Sequence, residues 1–481
     1  MATQSENEDS NTKPTKCPVS GASKDLSGPA QYYLVGNLPQ IRSEGRAPRT
    51  WTRWSNEFGP VFEVGLGPMG SGIVLSGASV LEKAYESDSE NDNNFRDRWR
   101  PPALEKIGFV GSISWENWLE GAQDRKHFLQ EVFKRMDIEG LIKKEAKEVC
   151  TVLYGDELVN VSDLLNQANN NILLASTINR SERFEYTDEQ FHKLEEIIVS
   201  NSQHKFKGSP VNVLQWLWST PLFNAMRYDH GRLETALQPY IDSHRETFKK
   251  DTIQDLIDGY LGGVGETSLD VNEIVNNVKH LFLFFYSLSS AIQWTILFII
   301  QHSDVQDKVH EEIDRYIMDL EDISEDIIVS KMPYINAVIK ESLRLATPIG
   351  QLMAHCPIKD TQFEGYTFKK GTPIFSNLWG PNHDAKSWPE PLAFKPERWL
   401  DMENDPPGFM PFGSGLRKCP AQGMSMTALR LFLVMIFKRF HLAGVDGEKL
   451  PSLDDSFMLT DTILPNKFNI LATNRLLSEI N

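Results

Sequence analysis

One cysteine stands where a Gly-rich turn meets a long apolar helical pattern, in the stretch FMPFGSGLRKCPAQGMS at residues 409–425. Pro420 suits the first position of a helix, where its missing N–H costs nothing. This spacing places Cys419 at a helix entrance. Free backbone N–H groups and the positive end of the helix dipole favour a thiolate there.

The residues before Cys419 indicate what that thiolate would bind. Gly413 and Gly415 allow the backbone to turn tightly and to approach a flat ligand closely. Arg417 supplies a fixed cationic fork that suits a carboxylate. A thiolate ligand, a close backbone approach and a carboxylate partner describe one face of a haem with a propionate. The same stretch is also compatible with a structural cysteine buried after a loop.

Composition excludes several other classes. The chain has 481 residues, is 40% hydrophobic and carries a net charge of −17, which argues against a general nucleic-acid binder. Its four cysteines are scattered, which fits a reducing compartment and no disulfide framework. The polar, acidic start has no signal peptide or membrane-anchor pattern, so residues 1–27 are predicted to be a disordered lead-in. We expect an intracellular protein, cytoplasmic or at most peripheral on a membrane.

The pattern along the chain predicts a mainly α protein with a small β portion, folded as one large domain over residues 28–481. Residues 281–300 form an apolar run that is interpreted as a buried central helix, since its middle is Ser-rich and contains Gln293. The other predicted elements are a β-hairpin at 60–76, period-3.6 helices at 304–317 and 332–345, short strands within 363–378, and a helix from Pro420 to about Phe440.

Three motifs occur along the chain. They are a Glu-x-x-Arg helix with Glu341 and Arg344, a Pro-Glu-Arg segment with Arg398, and a cysteine loop with Phe412, Gly415, Arg417, Cys419 and Ala421. Their order and spacing resemble the cytochrome P-450 superfamily, and the likeness extends from residue 32 to the C-terminus. Other segments, such as FRDRWRPP and HSDVQDKVHEEI, look most like the microsomal animal branch of that superfamily.

The resemblance implies a P-450 fold, a haem b cofactor and a role for each motif residue. Cys419 would be the axial ligand of the iron, within a loop where Phe412 and Gly415 approach the cofactor. Arg417 and His355 would contact the haem propionates, as would Arg125 and Lys126 from an earlier helix. The family has a tryptophan on that earlier helix, where this chain has Gly121 or Ala122 and an out-of-register Trp118. Glu341, Arg344 and Arg398 would form a buried ion-paired triad behind the haem.

The main departure from the family lies in the oxygen-activating helix. The family pattern Ala/Gly-Gly-x-Asp/Glu-Thr is replaced by Leu283, Phe284, Phe285, Tyr286 and Ser287. Tyr286 stands where the family has an acid and is neutral near pH 7. Ser287 retains the hydroxyl of the family's threonine, and a shift in register would instead assign that role to Ser289 or Ser290.

Three functions follow from the resemblance and this departure. The favoured function is a monooxygenase of a small lipophilic substrate, with electrons from NADPH delivered through a partner reductase. The alternative is a reductase-independent isomerase, dehydratase or lyase of a lipid hydroperoxide, whose substrate brings its own O–O bond. A non-catalytic haem sensor or carrier is a minor alternative.

Two further segments suggest how the protein would contact a reductase, a membrane or its substrate. Residues 125–144 carry six basic against three acidic side chains, and the family docks acidic reductase domains on this helix. The alternative for this segment is an ordinary solvated helix face.

Residues 211–226, with Trp216 and Trp218, would line the substrate entrance, rest on a membrane surface or pack as core. Phe282, Phe284 and Phe285 add an aromatic run that suits a lipophilic substrate.

Overall fold

The fold is known from a computed structural model. The described residues are 26–43, 47–85, 94–101, 112–155, 158–178, 286–459 and 461–475, with short pieces and single residues between 196 and 281. Outside the described residues lie residues 1–25 of the predicted lead-in, Trp216, Trp218 and the aromatic run at 282–285. The last two residues of that lead-in are ordered, since Leu26 is buried and the Ser27 carbonyl accepts from the Glu63 amide at 3.0 Å.

Helices dominate the described part of the chain, which confirms the predicted mainly α class. The helices with described bounds are α1 (Leu38–Ser43), α2 (Ala47–Phe58), α3 (Ala78–Tyr85), α4 (Ala122–Arg135), α5 (Ile138–Gly155), α6 (Val161–Ile178), α7 (Leu256–Leu261), α8 (Tyr286–Gln301), α9 (Ser303–Tyr316), α10 (Glu325–Lys331), α11 (Pro333–Ala346), α12 (Trp379–Asn382) and α13 (Gln422–Arg439). The two helices predicted from period 3.6 correspond to α9 and α11.

Short strands form the remainder, in four small sheets. They are β1 (Val61–Gly65), β2 (Ser71–Leu75), β3 (Asp97–Arg98), β4 (Val159–Asn160), β5 (Gln351–Cys356), β6 (Thr361–Phe363), β7 (Tyr366–Phe368), β8 (Ile374–Asn377), β9 (Phe440–Gly444), β10 (Ser456–Leu459), β11 (Thr462–Pro465) and β12 (Asn469–Asn474). The largest sheet has the order β1-β2-β8-β5-β3. Its β1–β2 hairpin pairs Val61 with Leu75, which confirms the predicted hairpin. The antiparallel pairing of β3 with β5 sets Arg98 opposite His355.

Helix α8 runs through the centre of the largest core cluster. Nearly all of its residues are buried, and it packs against α6, α11 and α13. A helix that is apolar on every side is stable only when neighbours surround it, so the interpretation of the 281–300 run as a buried central helix is confirmed for the described part. Among the described residues, no helix is both long enough and apolar enough to cross a bilayer.

The predicted start of the last helix is wrong by two residues. Helix α13 begins at Gln422, with Ala421 as its N-cap, so Pro420 precedes the helix instead of occupying its first position. The reason is a turn at residues 419–421, in which the Ala421 amide hydrogen-bonds the Cys419 sulfur. The amide is thereby used to orient the sulfur before the helix starts.

A buried carboxylate on α11 joins three segments of the chain. Glu341 and Arg344 are fully buried and form a two-pronged ion pair, with Nε–Oε2 and Nη2–Oε1 distances of 2.9 and 2.8 Å. Arg398, from the 3-10 turn Pro396–Trp399, donates its Nε to Glu341 Oε1 at 3.0 Å. The backbone N–H of Lys395 and the indole of Trp399 donate to the same carboxylate at 3.0 and 2.9 Å. The triad expected from the resemblance is thus present.

This cluster extends toward the cysteine loop through aromatic packing. The ring of Trp399 lies 4.7 Å from that of Phe409, the residue that begins the loop ending at Cys419. Trp388 packs on both rings and also lies 5.0 Å from the guanidinium carbon of Arg344. The Glu341 cluster and the start of the cysteine loop are therefore joined by continuous aromatic packing.

Replacing Glu341 by glutamine is expected to lower the free energy of unfolding by about 3–5 kcal/mol, because two buried arginines lose their counter-charge. Denaturant unfolding and haem content measure the effect. The matched control is Glu311→Gln, whose carboxylate is 69% exposed and pairs with Arg315 along α9. That control should change stability by less than about 1 kcal/mol. Equal stability of Glu341→Gln and the wild type would show that the cluster does not hold the fold.

Candidate functional site

Backbone hydrogen bonds close the cysteine loop before the sulfur is presented. The Cys419 amide donates to the Phe412 carbonyl at 2.9 Å, and the 3-10 turn Gly415–Arg417 lies between them. Gly413 and Gly415 have φ values of +70° and +62°, a region that disfavours residues with a Cβ. The two glycines thus do what the sequence predicted, since they let the backbone reverse within a few residues.

Opposing effects act on the pKa of the Cys419 thiol. Burial raises the pKa of the thiol, and the Ala421 amide and the Lys126 ammonium oppose this rise only in part. The backbone N–H at the helix entrance thus favours a thiolate, as the sequence predicted, but burial opposes it and has the larger effect. A bound metal cation deprotonates a coordinating thiol outright, so this sulfur is suited to act as a metal ligand.

His355 is buried and has one ring nitrogen without a partner. Its Nδ1 is 2.7 Å from the Tyr85 hydroxyl, which is in turn 2.7 Å from the Ser376 hydroxyl. The buried Nε2 has no hydrogen-bond partner among the described residues. Burial, followed by the charges of Arg98 and Arg417, holds the pKa of His355 well below its usual range. The ring is therefore neutral, and a buried polar atom of this kind requires a partner.

Arg98 is a site residue that the sequence reasoning missed. It lies across the sheet from His355, and its side chain donates to the Ser114 and Met353 carbonyls at 3.1 and 3.0 Å. Burial, followed by the neighbouring Arg417, lowers the pKa of Arg98 to about 9. The only signal in the sequence was the basic FRDRW run, which was interpreted as family texture.

Arg417 lies in the same cationic group, although most of its donors bind backbone. It donates to the carbonyls of Arg96, Ile113 and Glu116, at 2.7, 3.4 and 2.6 Å respectively. A guanidinium has five N–H groups, so donors remain after these three bonds. Burial lowers the pKa of Arg417 to about 10.

At the start of α4, where the family has a tryptophan, this chain has Gly121 and Arg125, with Trp118 just before them. Gly121 has φ +130°, and a Cβ built there would lie 2.4 Å from Nη1 of the buried Arg125. The Arg125 guanidinium therefore occupies the space that a larger side chain would need. Trp118, from the preceding 3-10 turn, contacts the site instead, with its ring 5.2 Å from the guanidinium carbon of Arg417 and 5.8 Å from Lys126 Nζ.

These groups fit a haem. A buried ring nitrogen without a partner, on His355, lies near the guanidinium groups of Arg98 and Arg417. Together they offer the hydrogen-bond donors and positive charge that the carboxylates of two propionates need. Cys419 offers a sulfur ligand from a loop whose glycines permit a flat group to approach. The ligand set is a single thiol with neighbouring cations, which suits a haem iron better than an ion bound by protein ligands alone.

The described part of α8 separates the candidate hydroxyls. Ser289 donates to Asn166 of α6 at 2.6 Å, and Ser290 donates to the Ile463 carbonyl of β11 at 2.6 Å. Both serines are fully buried, whereas Ser287 is half-buried. Tyr286 is buried in an apolar cluster with Phe128 of α4. Ser287 and Tyr286 stay the residues predicted for proton delivery, and the ring of Tyr286 belongs to an apolar cluster.

The basic segment 125–144 presents fewer charges to solvent than its sequence suggests. Arg125 is buried, and Lys126 turns inward to donate to the Leu416 carbonyl at 2.7 Å. Lys143 pairs with Glu139 at 2.9 Å. Exposed cations of this segment are Lys134, Arg135 and Lys144, and Lys134 pairs with Glu131.

A second cluster of possible ligand atoms lies apart from this site. His244, Asp255 and Asp258 bring one ligand atom each within 4.8 Å of one another. His244 Nε2 is 2.7 Å from Asp255 Oδ2, while Asp255 Oδ1 accepts the Asp258 amide and so caps α7. Helix capping and a His–Asp hydrogen bond account for this arrangement.

Comparison with known proteins agrees with the site. The cytochrome P450 family matches residues 26–470. Cytochrome P450 1A1 of Limanda limanda is 26% identical over 465 residues, which cover 88% of this chain and 86% of the relative. Cytochrome P450 2U1 of Homo sapiens is 27% identical over 434 residues, or 84% of this chain and 77% of the relative. Cytochrome P450 2U1 of Bos taurus is 30% identical over 342 residues, or 67% and 61%.

Replacing Cys419 by alanine is expected to abolish the red-shifted Soret band that reduced, carbon monoxide-treated protein shows when a thiolate binds the iron. The control is Cys356→Ser, because burial raises the pKa of Cys356 to about 11 and its thiol lies on β5, outside the loop. The control should keep the band. A Cys419→Ala protein that retains it would move the ligand to another residue.

Proposed function

The chain belongs to the cytochrome P450 family, and from that premise we propose that it is a monooxygenase of a small lipophilic organic substrate, supplied with electrons from NADPH through a partner reductase. Family membership makes it a haem-dependent oxidoreductase with the cytochrome P450 fold. The observation that most supports the finer proposal is the half-buried Ser287 of α8, which places a hydroxyl at the family's alcohol position.

The residues of this chain divide the work around the cofactor, which is proposed to be haem b. Cys419 would hold the iron, and His355, Arg98 and Arg417 would hold the propionates, with Arg125 beside them. When bound, a haem–thiolate iron supplies the activation of an O–O bond. Ser287 would hold a proton-donating hydrogen bond on the substrate side, a role that a positioned hydroxyl or acid fills in general acid catalysis.

Electron delivery would come from the outer surface of α4 and α5. Lys134, Arg135 and Lys144 are exposed there, on a protein whose net charge is −17. A local positive patch on an acidic protein steers an acidic partner to one face. Burial of Arg125 and Lys126 makes this patch smaller than the sequence indicated, so the partner would be held mainly by the three exposed cations.

One observation favours the alternative, a reductase-independent hydroperoxide isomerase, dehydratase or lyase. Tyr286 replaces the family's acid and is buried among apolar side chains, so it is poorly suited to deliver protons. A substrate that brings its own O–O bond would not need that acid. The two functions therefore differ in the source of the activated oxygen.

The source of oxygen is tested by offering the purified holoprotein two sets of reactants. A panel of lipophilic compounds with reductase, NADPH and labelled dioxygen is expected to yield product with one labelled oxygen atom. Fatty-acid hydroperoxides without reductase are expected to be consumed slowly. Fast conversion of a hydroperoxide into a rearranged product would establish the alternative, and turnover of neither set would leave a sensor or carrier.

Ser287→Ala is expected to lower the product formed per NADPH by about tenfold or more and to release correspondingly more hydrogen peroxide, since a proton donor is lost. The matched control is Ser290→Ala on the same helix, whose hydroxyl binds the Ile463 carbonyl. That control should leave the coupling unchanged. Unchanged coupling in Ser287→Ala would show that Ser287 is not the relay.

A further inference from the structure

Lys126 binds the cysteine loop directly. It lies on α4, is half-buried, and donates its ammonium to the Leu416 carbonyl at 2.7 Å. The resemblance assigned this residue to a haem propionate, and a basic residue at this place on a surface helix would otherwise be counted among the docking charges. The observed hydrogen bond instead directs its charge toward the segment that carries the sulfur.

The position of Leu416 makes that bond important for Cys419. Leu416 is the central residue of the 3-10 turn Gly415–Arg417, and the Lys418 amide donates to the Gly415 carbonyl at 3.1 Å. The Leu416 carbonyl points out of this turn and is held by a charged donor, a type of bond stronger than one between neutral groups. Fixing this carbonyl fixes the peptide between Leu416 and Arg417, two residues before Cys419.

Trp118 limits where the Lys126 ammonium can lie. Its ring is 5.8 Å from Lys126 Nζ and 5.2 Å from the Arg417 guanidinium carbon, both within the range of a cation–π contact. The Trp118 backbone N–H donates to Asp97 Oδ1 of β3 at 3.0 Å, which ties the ring to the large sheet. One aromatic ring thus lies within cation–π distance of both Lys126 and Arg417.

We propose that Lys126 is a positioning residue for the axial cysteine: its ammonium anchors the cysteine loop and places a positive charge on the sulfur side of the haem. This inference rests on the proposed haem–thiolate function. A nearby cation stabilises negative charge on the sulfur. The sulfur then donates less electron density to the iron, which makes the iron easier to reduce.

The test compares haem-loaded Lys126→Gln with the wild type by dye-equilibrated reduction and by the carbon monoxide spectrum. Lys126→Gln is expected to shift the reduction potential to more negative values. It should also lose the thiolate-type Soret band about tenfold faster on storage, because one charge-assisted hydrogen bond is removed. Lys126→Arg, which retains the charge, should recover most of both changes.

The control is Lys134→Gln on the same helix, whose side chain is 69% exposed and pairs with Glu131. It should leave both readouts unchanged, and an equal shift in this control would overturn the proposal in favour of a general effect of surface charge. Wild-type potential and band lifetime in Lys126→Gln would overturn it as well.

Two further results distinguish failure of this proposal from loss of haem binding and from failure of the proposed haem–thiolate function. If Lys126→Gln does not incorporate haem, Trp118→Leu is measured instead, and it should shift the potential in the same direction by a smaller amount. An unchanged potential in that variant would overturn the proposal. Absence of the thiolate-type band from the wild type would contradict the haem–thiolate function itself, whatever the variants show.

Discussion

The rest of the structure depends on one buried carboxylate, Glu341, and on the two arginines that neutralise it. An ion in the interior costs several kcal/mol in lost hydration, which only close partners with good geometry offset. Glu341 has such partners in Arg344, Arg398, the Trp399 indole and the Lys395 amide. These partners come from segments more than fifty residues apart in the chain, so neutralising the Glu341 carboxylate brings α11 and residues 395–399 together. The Trp399–Phe409 contact then relates that cluster to the cysteine loop.

The two sides of the candidate site differ in how far they depart from the family. On the cysteine side, the loop glycines shape the turn before Cys419, and Lys126 binds the Leu416 carbonyl. The buried His355 lies near the guanidinium groups of Arg98 and Arg417. On the α8 side, the acid is absent, Tyr286 is packed in apolar surroundings, and two of three serines hold α8 to its neighbours. The cysteine side thus keeps the family's motif residues apart from the tryptophan, whereas the α8 side lacks the family's acid.

Local patterns in the sequence predicted much of this arrangement. Periodicity and local motifs predicted the cysteine at a helix entrance and the helices α9 and α11, because each depends on residues close together in the chain. The Glu-x-x-Arg motif within α11 was identified through the resemblance to the family. The pairing of distant strands could not be predicted from local patterns. Arg98 pairs with His355 across strands more than two hundred residues apart in the chain. The inward direction of Lys126 depends on a carbonyl at residue 416, which periodicity along one helix does not reveal.

The central claim is that charge pairing at Glu341, more than the packing of these side chains, holds the cysteine loop in place. A double-mutant cycle tests it most directly, by measuring the free energy of unfolding of Glu341→Gln, Arg344→Met and the combined variant. The combined variant is expected to be less destabilised than the sum of the single variants by about 2 kcal/mol or more, since removing both partners leaves fewer unpaired buried charges. Additive losses would contradict the claim and would assign the stability of this region to packing alone.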